Sequence, residues 1–137
     1  MMKRALAMVA FLAGCGNSPQ PTAVHMTMDS SSGLSASQVG SVEILVIGGP
    51  RATCMRAMQP ASPLDDPELE ILMHALFTLD GSAKHLSGVP ADRPLVFYAE
   101  AFQGKNGERP RIGRGCSEGQ LAAGSSSGIS IVITASD

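Results

Sequence analysis

Aromatic residues are scarce in this 137-residue chain, which has no tryptophan, one tyrosine and four phenylalanines. Its core must therefore be built mostly from aliphatic side chains and from its eight methionines. Basic charge is also limited, because ten Lys and Arg residues stand against twelve Asp and Glu residues. That balance argues against general nucleic-acid binding, which needs a basic surface. It also argues against adhesion to anionic lipid by charge alone.

Long apolar runs and catalytic motifs are missing as well. The apolar run over residues 5–13 is far too short to span a bilayer as a helix. No HExxH, phosphate-binding loop or GxSxG occurs, and no Ser/His/Asp order is recognisable. His74 and His85 stand eleven residues apart with no carboxylate pattern around them. We therefore expect a protein that is not an enzyme and that uses no cofactor and no bound metal.

The N-terminus has the pattern of a secretory signal peptide. Lys3 and Arg4 form a short basic region, and the apolar run of residues 5–13 follows directly. The run ends in Leu-Ala-Gly-Cys at residues 12–15, which resembles the lipobox of bacterial lipoproteins. The alternative is an ordinary signal peptide that is cleaved near Gly14 or Gly16.

The lipobox resemblance implies a processed, membrane-anchored chain. Residues 1–14 are then the signal peptide, and Cys15 becomes the acylated first residue of the mature protein. Three acyl chains exceed the two signals that stable anchoring needs. Gly16 follows in place of the Asp that retains such proteins at the inner membrane, so the resemblance implies the outer membrane, at its periplasmic face or at the cell surface. Loss of residues 1–14 would leave eight basic and twelve acidic residues, a net charge of −4.

The next block, residues 15–40, is rich in Ser, Gly, Pro, Gln and Thr. Bulky apolar residues recur there at no clear period, so the block buries too little surface to offset its ordering entropy. We predict a disordered linker over 15–40 and a folded domain over 41–137. A domain of that size has room for one core.

Cysteine usage predicts a disulfide in that domain. If Cys15 carries the lipid, Cys54 and Cys116 remain, and an exported chain favours their pairing. Closing a 62-residue separation contributes about 4 kcal/mol in the chain-entropy model. The alternative is a redox or nucleophilic thiol, but the chain has no CxxC and no His close in sequence to either cysteine.

Short β-like segments recur along residues 41–137, separated by Gly and Pro. Residues 41–49 and 128–134 are rich in β-branched residues, and Asn106-Gly107 is a strong hairpin-turn signal. Residues 69–79 fit either a strand of period two or a helical face, and we favour the strand. The pattern predicts an all-β fold, a small antiparallel β-sandwich or barrel.

Four stretches together carry a family resemblance: VEILVIGGPxATC from residue 42, SGVPADRPLVFYAEAF from residue 87, RIGRGC from residue 111 and GISIVIT from residue 128. In this order they resemble small outer-membrane lipoproteins with one transthyretin-like or carboxypeptidase-regulatory-like β-sandwich. The resemblance implies a sandwich over roughly residues 41–135. It implies no catalytic residues, because that family is mostly uncharacterised.

Three groups of polar residues are candidate ligand sites. A basic group around the hairpin could bind phosphate, lipopolysaccharide or acidic glycan, or could simply be a solvated hairpin; it comprises Lys105, Arg109, Arg111 and Arg114. The acidic cluster over residues 65–70 matches no calcium loop and is typical of a charged turn. The His and Met residues at 25, 26 and 28, with those at 55, 58, 73 and 74, would suit copper, although Met also fills irregular cores.

These features predict a lipid-anchored binding or structural module of the cell envelope. It would be attached to the membrane through Cys15 and would present loops to another envelope protein or to a glycan. The alternative is a periplasmic carrier that holds a ligand or a metal through Met and His or through the basic hairpin. A carrier needs a concave pocket or clustered ligands, whereas an adaptor needs an exposed apolar patch or a free sheet edge.

Overall fold

The computed structural model describes residues 21–80, 83–122 and 128–136. The predicted signal peptide 1–14 and the lipidation site Cys15 lie outside these residues. Seven strands follow one another along the chain: β1 Thr22–Met28, β2 Ser41–Gly48, β3 Glu70–Thr78, β4 Lys84–Leu86, β5 Leu95–Phe102, β6 Arg111–Gly119 and β7 Gly128–Ala135. Within the described ranges one α-helix is present, α1 Cys54–Met58, together with a few 3-10 turns.

The strands form a single sheet in the order β3-β2-β5-β6-β7-β1-β4, and this sheet is nearly closed. All pairings are antiparallel except that between β1 and β7, which run parallel. The all-β prediction is therefore confirmed. No helix within the described ranges is long and apolar enough to cross a membrane.

The concave side of this sheet, here called the inner face, holds the main core. Every strand contributes at least one buried or half-buried apolar side chain to it, and β5, with four buried residues, contributes the most fully buried ones. Gly113 and Gly115 of β6 lie here against Ile133 and Val132, so close that a Cβ would clash with backbone atoms. The buried residues of this face are Val24, Leu34, Val39, Val42, Ile44, Val46, Leu86, Leu95, Phe97, Ala99, Ala101, Leu121, Ile129, Ile131 and Ile133.

The opposite side, here called the outer face, has its own smaller core. Residues 49–69, here called the covering segment, lie over β2, β5 and β6 and bury Ala57 and Leu69 there. Helix α1 begins in this segment because the Thr53 side chain accepts a hydrogen bond from the Arg56 amide. Since both faces are covered, β2 and β5 are buried along almost their whole length. This explains their nearly continuous apolar sequence.

The predicted disordered linker over 15–40 is wrong for residues 22–40. Residues 22–28 form β1, which pairs with β7 on one side and β4 on the other. Two 3-10 turns follow, and the residues Leu34, between the turns, and Val39, after the second, are buried in the core. The long-range pairing with β7 supplies the hydrogen bonds and burial that the local sequence does not signal, so the folded domain starts about twenty residues earlier than predicted.

Two other local predictions are confirmed. Residues 70–78 are a strand, not a helix, and their odd positions Met73, Ala75 and Phe77 pair with inner-face residues of β2. Asn106 and Gly107 form the turn between β5 and β6, and both have positive φ, at 61° and 76°. Asn and Gly are the residues that adopt this conformation most readily.

Candidate functional site

The predicted disulfide is present on the outer face. Cys54 at the start of α1 is bonded to Cys116 of β6, with a Cα–Cα distance of 5.7 Å. The Cys54 amide also donates to a carboxylate oxygen of Glu118, at 2.7 Å. The disulfide therefore fixes the start of the covering segment to the sheet.

Arg114, one of the predicted anion-binding residues, contacts the same segment. Its guanidinium donates to the carbonyl oxygens of Met58 and Pro60, both at 2.8 Å. A third, longer contact reaches the hydroxyl of Tyr98 at 3.4 Å. Arg114 thus caps the carbonyls at the end of α1 and just beyond it, which is a structural role.

Arg111 is engaged in a similar way, one step further along the covering segment. It donates to the Ala61 carbonyl and forms an ion pair with Glu100 at 2.9 Å. Tyr98 donates to the same Glu100 carboxylate at 2.6 Å. Burial and this hydrogen bond raise the pKa of the Tyr98 hydroxyl well above its ordinary value. The phenol therefore stays protonated and keeps donating.

Lys105 and Arg109 are the exposed members of the predicted basic group. Arg109 and Arg111 line an open polar cavity of about 720 Å³ between the hairpin and the covering segment. Glu43, Asp65 and Glu100 line it too, so its charge is mixed. The structure thus brings two of the four predicted residues together. Anion binding by the group stays a prediction.

Several of the other polar candidates are paired within the protein. Asp66 and Glu68 both accept from Arg56, and this guanidinium holds the pKa of the Asp66 carboxyl below its usual value. A ring nitrogen of His74 lies in hydrogen-bond contact with a carboxylate oxygen of Glu43 across the β2–β3 ladder. Among the described residues, no group of three or more His, Cys, Asp or Glu side chains could hold a metal ion.

The open side of the nearly closed sheet is the most distinctive surface. It separates the edge strands β3 and β4 and is here called the seam. Apolar side chains on both of its sides pack on the inner core and yet are only half-buried. They are Met73, Phe77 and Leu79 on the β3 side and Met26 and Met28 of β1 on the other. The inner core is therefore partly open to solvent along the seam.

Strand β3 gives the seam a long backbone edge. It has nine residues and pairs only with β2, and in the parts of the chain that the structure describes no strand pairs with its other side. Strand β4, at the opposite edge, has only three residues. On the outer face of β3, the Leu76 side chain is 44% exposed. A long, apolar edge without proline is a template for another strand.

A cavity of about 670 Å³ lies at one end of the seam. Apolar side chains of β1 and of the connection from β3 to β4 provide most of its wall, and the 3-10 turn at Ala36–Gln38 closes one side. Its lining residues are Val24, His25, Met26, Met28, Ala36, Ser37, Leu79, Ala83 and Lys84.

Sequence reasoning noted Met26 and Met28 only as potential copper ligands. Their alternation with Val24 at period two was the available signal for a strand, and their place on the seam follows from it. Comparison with protein-family models, with curated proteins and with solved structures finds no match to this chain.

Proposed function

We propose that this protein is a lipid-anchored binding module of the outer membrane. Its Cys15 carries the lipid, and its folded domain captures an extended segment of another envelope protein along the free edge of β3. The single observation that supports this most strongly is the nine-residue edge strand beside a partly open core. Glycan binding through loops lacks a comparable feature.

Strand addition is the binding mode that this geometry favours. An added strand would receive main-chain hydrogen bonds from β3, which supply affinity without regard to sequence. Alternate side chains would point into the seam, where Met73 and Phe77 are half-buried. We therefore expect the captured segment to alternate apolar and polar residues. Methionine suits such a surface because its flexible side chain adapts to different partners.

The carrier alternative rests on the cavity at the end of the seam. Its volume lies within the range of small-molecule sites, and its wall is mostly apolar. A small apolar ligand is therefore the second candidate. A metal carrier has less support, because the described residues contain no group of three or more His, Cys, Asp or Glu side chains that could hold a metal ion.

The edge-strand proposal predicts a position-dependent cross-link. A photo-reactive amino acid in place of Leu76 on β3 should yield a covalent adduct with one envelope protein after illumination of intact cells. The same replacement of Val132 is the matched control, because Val132 is 55% exposed but lies on β7, an interior strand of the sheet. Adduct masses are read by mass spectrometry.

Equal adducts from the two positions, or none from Leu76, would contradict the proposal. An adduct of twice the chain mass would also contradict it, since the edge would then pair with a second copy. Leu76→Lys, which puts a charge on the edge, should abolish the adduct from a neighbouring reactive position at Thr78.

The anchor is tested separately. Cys15→Ser should move the protein from the outer-membrane fraction to the soluble periplasmic fraction, because no thiol remains for lipid attachment. Fractionation with immunodetection measures the distribution. Cys54→Ser with Cys116→Ser is the control and should leave membrane association unchanged. Retention of the Cys15→Ser protein in the membrane would refute the lipoprotein assignment.

A further inference from the structure

The cavity at the end of the seam contains one feature that strand capture does not use. Lys84 lies at its wall, and its side chain is only 12% exposed although it begins the edge strand β4. Its ammonium group contacts a carboxylate oxygen of Asp80 at 2.8 Å. A lysine side chain that is mostly withdrawn from water beside apolar walls is stabilised by such a compensating charge.

Asp80 supplies this charge from an exposed position. Its side chain is 60% exposed, so an ion pair with it is weakened by water and contributes little. Another carboxylate, carried into the cavity by an apolar ligand, could take its place at Lys84 and be less hydrated there. The positive charge of Lys84 and the apolar lining of the cavity together therefore favour a ligand with one carboxylate group and a hydrocarbon chain.

We propose that this cavity binds the hydrocarbon chain of a fatty acid, with the carboxylate paired to Lys84. The chain would lie against Met26, Met28 and Leu79, which are half-buried and would lose their remaining contact with water. The cavity volume of about 670 Å³ is in the range that such ligands occupy. This inference goes beyond the proposed function and does not depend on it.

Calorimetry with a matched pair of ligands tests the role of the charge. Dodecanoate and 1-dodecanol share the same hydrocarbon chain, and the protein is the full chain with Cys15→Ser, which carries no lipid of its own. Dodecanoate should bind more tightly than the alcohol. Lys84→Met should weaken dodecanoate binding about tenfold or more, since a charged hydrogen bond is lost, and should leave 1-dodecanol unchanged.

Two further variants make the test specific. Lys84→Arg keeps the charge and should keep the preference for the acid, and Asp80→Asn should strengthen dodecanoate binding by removing the internal competitor. Lys105→Met, on the exposed hairpin, is the control and should change nothing. Methyl NMR locates the ligand, because the Met26 and Met28 signals should shift while that of Met55, exposed on the covering segment, should not.

Failure of dodecanoate to bind would overturn the inference, as would equal affinity for the acid and the alcohol. Shifts confined to Met55 would place the ligand elsewhere and would overturn it too. Well-dispersed methyl signals in Lys84→Met show that the variant is folded. Loss of strand capture after Leu76→Lys leaves this site intact, so the two proposals can fail independently.

Discussion

Strands β2 and β5 serve two different cores, one on each face. On the inner face they carry only apolar side chains, and the curvature of the sheet itself brings the other strands over them. On the outer face the same strands carry Tyr98 and Glu100, and a segment without strands lies over them. The inner face is closed by the sheet's shape, whereas the outer face is closed by specific bonds.

This difference shows how a short chain with few aromatic residues can bury both sides of a sheet. Curvature leaves a seam on the inner side, where the core remains partly exposed. The covering segment has no such freedom, because the disulfide holds its start and Arg114 and Arg111 hold the carbonyls of residues 58, 60 and 61. We therefore expect the stability of the inner core to depend on side-chain volume. The stability of the outer core should depend on the disulfide and on the hydrogen bonds of charged side chains.

The largest effect is expected from removing volume at the inner face. Phe97 is fully buried there, and Phe97→Ala should lower the free energy of unfolding by about 3–5 kcal/mol. Phe77→Ala is the control, because Phe77 is only half-buried beside the seam and should lose clearly less. Urea unfolding measures both, and equal losses would show that the seam is as tightly packed as the core centre.

Breaking the disulfide should have the next largest effect and should act on the other face. Cys54→Ser with Cys116→Ser should cost about 4 kcal/mol, from the entropy of closing a 62-residue separation. In hydrogen exchange under native conditions, the backbone amides of residues 50–69 should lose protection. The amides that form hydrogen bonds between β2 and β5 should keep theirs. Uniform loss of protection would mean that the outer face has no separate stability.

The smallest effect concerns the phenol of Tyr98. Tyr98→Phe removes one hydrogen bond to Glu100, and we expect a loss of about 1 kcal/mol at neutral pH, with Arg111 still pairing the carboxylate. The pH dependence is more diagnostic. Because folding raises the pKa of Tyr98, the unfolded chain releases this proton near pH 10 while the folded chain retains it.

The contribution of Tyr98 to the free energy of unfolding is therefore fully present below about pH 10. Above that pH it should fall by about 1.4 kcal/mol per pH unit. Tyr98→Phe should remove that part of the alkaline decline. The chain has one tyrosine, so the difference between the two proteins isolates its contribution. Identical profiles from pH 8 to pH 11 would show that the phenol is not held by the outer-face network.

Some of this arrangement follows from local sequence. Period-two alternation predicts β3, and Asn106-Gly107 predicts the hairpin. The disulfide follows from the prediction that the chain is exported and that Cys15 carries a lipid, which leaves two cysteines to pair. The role of Arg111 and Arg114 could not be predicted in this way. Their partners lie about fifty residues earlier in a segment rich in proline, whose path depends on the completed sheet.

Strand β1 was missed for a related reason. Its alternation of Val24, Met26 and Met28 is short and lies within a stretch dominated by small polar residues. It is stable as a strand because β7, about a hundred residues later, runs parallel beside it. Contacts so distant in sequence leave little trace in a local pattern. The seam was missed with it, because Met26 and Met28 of β1 line one of its two sides.

The position of β1 also sets the reach of the domain. If Cys15 carries the lipid, six residues separate it from Thr22. The fully extended length of this segment is at most about 25 Å. The segment would then join the domain at the end that holds the starts of β1, β5 and β7, whereas the β5–β6 hairpin and the cavity lie toward the opposite end. The domain would thus stand close to the lipid surface and hold its cavity away from it.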